Sequence, residues 1–396
     1  MDEHRDRTEE YAVGPGAAPY PRFSPAEMRR RADTLAAAME ARGVDHAILY
    51  GSNRSGSAIP WLTGWPVTRE ALVVFTPGER DLLLVNFYNH VPNAERIATD
   101  ADVRWAGESA IETALAELAQ RGAKGRRIGL IGSLPYTSYA RLAQFVGEIA
   151  PMGGDYVRLR LVKSAEELAW LRVGAALTDR GLFALRDGLR PGLTEHQLCD
   201  LVERAYVPYG GRTHIHYFGI TSMGSPSTCV PRQWPATNAV ARGDAVTCEL
   251  SASFWDYAGQ VLRTFAIGED PAPLYLELHE VADAAFDAII ERLRPGAKAS
   301  DLVEASGVIE KAGYTIRDDL VHGFVGGYLP PILGSASREL TTVPEFTFAA
   351  GMTLVVQPNV ITQDESAGVQ TGELVIISPD GAKRLHTVER GLIRIG

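Results

Sequence analysis

Cysteine is scarce in this chain. Only Cys199, Cys229 and Cys248 occur in 396 residues, with neither the even count nor the close spacing of a disulfide framework or zinc knuckle. A reducing, cytoplasmic setting is the expectation. A basic stripe is also missing. The formal net charge of −10 argues against nucleic acid or an anionic membrane as partner, because phosphate binding needs clustered Lys and Arg. No apolar run approaches the roughly 18 residues that span a bilayer. The opening "MDEHRDRTEEYAVGPGAAPYP" lacks the apolar core of a signal peptide, and residues 1–22 are expected to form a flexible arm. What is present, 45% hydrophobic and 22% charged residues, describes a globular chain too long for one ordinary core. Small molecules or another protein remain as partners.

The chain divides into two patterns. From Ser24, "SPAEMRRRADTLAAAMEARG" has a serine cap, Pro at the first helical position and helical apolar spacing. The runs "HAILYG", "ALVVFT", "DLLLVNF" and "RIGLIG" read as strands, so residues 23–158 form an α/β domain. Residues 159–396 begin a second domain. There "SAEELAWLRVGAALTDRGLFALRDGLRPG" and "LYLELHEVADAAFDAIIERLRPG" are long amphipathic helices, each ending in "LRPG" and each followed by a shorter helix. The segments after each pair, "DAVTCELSASFWDYAGQVLRTFAIG" and "GMTLVVQPNV…GELVIIS", are β-type. Two helix–helix–sheet halves imply an internal duplication.

Several motifs, in order, carry a resemblance: "VKSAEELAWLRVGAALTDRG", "LRPGLTE", Gly243-Asp244, "LRTFAIG", His322-Gly323, "GMTLVVQP" and "GELVIISPDGAKRL", with "SGSAIPWLTGW" further upstream. The chain resembles the creatinase, aminopeptidase P, prolidase and methionine aminopeptidase group over about 23–396. The resemblance implies an α/β creatinase-like N-terminal domain and an α+β pita-bread C-terminal domain with an internal pseudo-two-fold repeat. The group's peptidases hold two divalent ions through two aspartates, a histidine and two glutamates. The matching positions here are Glu249, Gln260, His322, Gln357 and Gly372, with Glu373 beside the last. Amides and a glycine cannot neutralise two dications as carboxylates do, so no metal and no cofactor is expected. The implied reading is a metal-independent, creatinase-like hydrolase that cleaves a non-peptide C–N bond of a small polar metabolite. The alternatives are a lyase or isomerase, an inactive peptidase homologue that binds a peptide or protein, and an Xaa-Pro metallopeptidase.

Strand alternation puts Thr247, Glu249 and Ser251 on one face, away from Cys248. Glu249 is therefore the main candidate carboxylate, with Glu373 second. His322 is the proton shuttle the resemblance supplies, set against the blander reading of a structural histidine in a Gly-rich turn. Gln260 and Gln357 offer hydrogen bonds to a ligand. Arg232, with Gln233 as the alternative occupant, stands where the family often has a histidine, and its guanidinium suits a substrate carboxylate. His214, His216 and Tyr217, in "GRTHIHYFG", precede the cavity segment as substrate contacts or structural residues. Trp61 and Trp65 are assigned either to the pocket, capping it from the neighbouring subunit of a homodimer, or to the N-terminal core.

Overall fold

The computed structural model describes residues 20–53, 58–338 and 342–396. All but the end of the N-terminal arm lies outside the described residues. Two compact units divide between Arg160 and Leu161.

The first unit is built on a six-stranded sheet. Helix α1 (Pro25–Ala41) starts where the Ser24 hydroxyl accepts from the Glu27 amide and Pro25 fixes the first turn. Strands β1 (His46–Ser52), β2 (Glu70–Phe75), β3 (Leu82–Val85) and β4 (Asp102–Trp105) follow. Helix α2 (Ala110–Gln120) then precedes β5 (Arg127–Ile131) and β6 (Glu148–Pro151). The sheet order is β4-β3-β2-β1-β5-β6, with β1 antiparallel to β2 and parallel to β5. Ile48, Leu72, Val74, Leu82 and Leu84 pack beneath Ile111, Leu115 and Leu118 of α2. A sheet face is thus covered by one apolar helix stripe.

The second unit shows the internal repeat. Helix α3 (Ala165–Gly188) begins with a capping box between Ser164 and Glu167, and α4 (Glu195–Tyr206) with one between Thr194 and Gln197. Strands β7 (Arg212–Ser222), β8 (Asp244–Phe254) and β9 (Val261–Ile267) complete the first half. The second half has helices α5 (Pro273–Arg292) and α6 (Ala299–Ala305), then β10 (Val321–Phe324), β11 (Tyr328–Leu333), β12 (Thr353–Val356) and β13 (Gly372–Ser378). The main path of the sheet runs β11-β10-β12-β13-β9-β8-β7. The halves meet where β9 and β13 pair, Leu262 opposite Gly372 and Val261 opposite Glu373. This is the architecture implied by the sequence.

Two close approaches fix the cavity end of the hairpin. A Cβ on Gly174 in α3 would lie 2.3 Å from the Tyr257 carbonyl, and one on Gly259 would lie 2.5 Å from Ala175 Cα. Helix and hairpin backbones therefore touch immediately before Gln260. Among the described residues no helix is long and apolar enough to cross a membrane.

Candidate active site

Where the two halves converge, a cavity of about 170 Å³ is lined by Ile215, Tyr217, Glu249, Asp318, Asp319, Tyr328 and Gln357, with Val230, Pro231 and Gln233 on the loop side. Tyr217 stands opposite Glu249 in the β7–β8 register. Gln260 Nε2 donates to Glu249 Oε1 at 2.5 Å, and Gln357 Nε2 donates to the Asp319 carbonyl at 3.1 Å. Each nitrogen is thereby committed, one to a carboxyl oxygen and one to a main-chain carbonyl. The two amide oxygens are consequently left without a protein partner, although both residues are buried.

His322 is fully buried on β10 and stacks on Tyr328, ring centroids 4.0 Å apart. Its Nδ1 lies 3.2 Å from the Gly323 carbonyl, which assigns the proton to that nitrogen and leaves Nε2 with its lone pair free. Asp319 Oδ2 is 3.8 Å from Nε2. Burial pulls the imidazole below its ordinary value, opposed by the Asp319 charge, so the ring is neutral at pH 7. Burial, together with the charges of Asp318 and Asp319, pushes the Glu249 carboxyl up to about 8, with Gln260 opposing. Glu249 therefore carries a proton at neutral pH. Asp318 accepts from Asn359 Nδ2 at 3.2 Å, and burial raises it too.

The geometry gives structural roles to six of the candidate residues, for Glu373 and Arg232 in place of the expected site roles and for His214, His216, Trp61 and Trp65 as the second of two readings. Glu373 is fully buried, and its carboxylate is taken up by Arg263 at 2.7 Å and by Arg384. Burial alone would raise its pKa, but the Arg384 hydrogen bond and the Arg263 charge hold it below the ordinary range. It does not line the cavity. Arg232 donates to the buried Glu195 at 2.7 Å, and Gln233, not Arg232, reaches the cavity wall. A bulge at His214 interrupts the β7–β8 register, leaving Ile215 and Tyr217 on the cavity side. His214 instead meets Phe324 edge-on, and His216 Nδ1 lies 2.7 Å from Glu203. Trp61 and Trp65 are buried. Trp61 packs edge-on against Tyr156 and under Arg31, within the first unit.

The expected set that does come together is Glu249, Gln260, His322, Gln357 and Tyr217. Asp318, Asp319 and Tyr328 were not anticipated. The signal for the two acids was "RDDLVHG", adjacent carboxylates just upstream of His322.

Comparison with known proteins bears on what this cavity does. Residues 169–379 match the model of metallopeptidase family M24, and residues 31–162 that of the creatinase/prolidase N-terminal domain. An Xaa-Pro dipeptidase of Pyrococcus furiosus is 24% identical over 67% of this chain and 75% of its own. An uncharacterized peptidase, YqhT, of Bacillus subtilis is 23% identical over 86% of this chain and 94% of its own. Among solved structures, the dipeptidase PepE of Mycobacterium ulcerans superposes with a TM-score of 0.78 at 22% identity, covering 94% of this chain and 99% of that one. The prolidase of Pyrococcus horikoshii gives 0.77 at 20%, covering 92% and 100%. The relatives are named for peptide hydrolysis. That finding overturns the expectation of a creatinase-like enzyme acting on a non-peptide C–N bond, and favours neither a lyase or isomerase nor an inactive binding homologue. With its family model matched over more than half its length, the chain belongs to metallopeptidase family M24 and is a hydrolase of the creatinase/prolidase pita-bread fold.

Proposed function

We propose that the chain hydrolyses the peptide bond of a short peptide, of the Xaa-Pro dipeptide kind for which its relatives are named. The observation that supports this most is one small cavity at the junction of the two halves, with Glu249 in its wall and His322 stacked behind its lining residue Tyr328 and 3.8 Å from Asp319. A volume near 170 Å³ suits a few amino-acid atoms, not a long chain.

The family name implies metal, and the residues here do not fit two divalent ions. The five positions supply one carboxylate, two amides, one imidazole and no side chain at Gly372. A Cβ at Gly372 would lie 2.5 Å from the Val356 carbonyl and 2.7 Å from Gln357 Cα, so the packed strands leave no room for a fifth ligand. Among the described residues no group of three or more His, Cys, Asp or Glu could hold an ion.

In the proposed reaction a water attacks the scissile carbonyl carbon and gives its proton to His322 Nε2, with Asp319 stabilising the imidazolium. Glu249 protonates the leaving nitrogen as the C–N bond breaks, so the new carboxylate and amine balance the water consumed. Gln357 and Tyr217 orient the peptide. A reducing cytoplasm, supported by three buried free thiols, and a homodimer complete the proposal. Incubating the purified protein with an Xaa-Pro panel, once with chelator and once with added divalent ion, tests it. Release of free proline is expected, and none under either condition would refute the reading.

A further inference from the structure

The loop between β7 and β8 gives Val230, Pro231 and Gln233 to the cavity wall. Both feet of its next excursion stand on one carboxylate. Glu195, the first residue of α4, is fully buried, and it accepts from Arg232 Nη1 at 2.7 Å through Oε1 and from the Ala236 amide at 2.6 Å through Oε2. The main chain adds two further ties. The Arg232 amide donates to the Phe218 carbonyl of β7 at 2.8 Å, and the Glu195 amide donates to the Asn238 carbonyl at 3.2 Å. Breaking either foot would leave a buried charge short of a partner, so residues 232–236 are held as a rigid excursion.

What the excursion carries outward is Trp234, which is 84% exposed. Pro235 follows it, fixing its own φ and disfavouring helical backbone at the tryptophan. Folding gains little from an indole left in water. For binding the same ring is well prepared: it offers about 150–250 Å² of mostly apolar surface, and its backbone is ordered before any ligand arrives.

From this placement we infer that Trp234 is a specificity-determining residue of the proposed reaction, a platform at the cavity rim for a bulky apolar side chain on the variable residue of the dipeptide, with Glu195 positioning it. The inference rests on the proposed function for the dipeptide and goes beyond it in naming the side chain. Gln233 is in the wall, and Trp234 is one residue further along the backbone, a step of about 3.8 Å between Cα atoms. A cavity near 170 Å³ holds the reacting atoms but not also a Phe or Leu side chain, so a large side chain must lie beyond the wall. Arg232 is committed to Glu195, which leaves the indole as the surface on offer there.

Steady-state kinetics of the full-length protein on Gly-Pro, Leu-Pro and Phe-Pro test this, together with tryptophan-emission titrations with Phe-Pro in the His322→Ala background, where bound peptide is not turned over. Wild type should favour Leu-Pro and Phe-Pro over Gly-Pro in kcat/KM. Trp234→Ala should lower that ratio about tenfold, through KM, the size of one apolar contact, and Trp234→Phe should keep most of it. Glu195→Gln, with the indole still present, should lower the ratio severalfold, and an unmoved ratio would remove Glu195 from the inference. Phe-Pro should shift the emission, and adding Trp234→Phe should abolish the shift. An unmoved ratio in Trp234→Ala, or an emission shift that survives Trp234→Phe, overturns the inference. A changed oligomeric state of Trp234→Ala in gel filtration, with the ratio unmoved, would also overturn it by assigning the ring to a subunit interface. Proline release with an unmoved ratio leaves the proposed reaction standing without this inference. Phe-Pro binding that depends on Trp234, with no proline released from any peptide, sinks the reaction and leaves the inference standing. Neither binding nor release overturns both.

Discussion

Two desolvated glutamates, Glu373 in the core and Glu249 in the cavity wall, sit in the same sheet of the second unit and live under opposite rules. Glu373 is enclosed by Arg263 and Arg384, and its charge is fully met. Next to that network, Asp179 accepts from His386 Nδ1 at 2.5 Å and from the Thr387 amide at 2.8 Å. Glu249 has a single amide donor and two further carboxylates for neighbours. One carboxyl is driven down and the other up. Desolvation acts on both, so the partner decides the outcome: an acid met by cations is part of the frame, and one without a cation is chemistry in waiting.

The comparison breaks most severely at Arg263. Replacing it by methionine strips a fully buried carboxylate of its fully buried cation and also abandons the Gly372 and Glu389 carbonyls. Loss of about 3–5 kcal/mol is expected in urea denaturation. Arg263→Met at wild-type stability would mean that Arg384 alone suffices and that the network is redundant.

On the other side of the contrast, His322→Ala removes the base without touching the Glu373 network. Turnover should fall by about 10²–10⁴ while the circular dichroism spectrum stays unchanged. A well-folded variant with turnover near wild type would remove His322 from the reaction.

The finest distinction is in pH. Because Glu249 titrates near 8 when folded against an ordinary value of 4.5, the folded protein holds a proton that the unfolded chain has already lost between those values. Stability from this group therefore falls as pH rises from about 4.5 to about 8 and is level above that. Glu373, held below the ordinary range, has the opposite sign: its contribution is present above the unfolded value and is lost as pH falls through the folded one. Glu249→Gln should accordingly gain melting temperature over wild type by a few degrees at pH 9 and little at pH 5. A gain independent of pH would show that Glu249 is not the titrating acid.

How much of this was legible beforehand follows from which interactions are local. The helices of the second unit announced themselves because caps are written within four residues, as Ser164 with Glu167 and Thr194 with Gln197. The face of Glu249 was legible because strand alternation is a period of two and β8 is regular through that point, with Leu262 and Tyr217 on either side of it. The roles of His214 and His216 were not, since one bulged residue shifts the register and bulges have no strong sequence mark. Glu373 was misjudged for a different reason. Its partners Arg263 and Arg384 arrive from two other strands, and a charge that will be neutralised looks the same in sequence as one that will not. Asp318 and Asp319 carried a visible signal that the five aligned positions drew attention away from. The reaction is hidden on the same ground: missing metal ligands suggest missing peptide chemistry, whereas the named relatives point to peptides.

The most direct test of the account is proline release from Xaa-Pro dipeptides by the wild-type protein, measured beside Glu249→Gln and His322→Ala. The account predicts hydrolysis by the wild type and its collapse in both variants. Wild-type protein that releases no proline, with or without added divalent ions, or variants that release it at the wild-type rate, would contradict it.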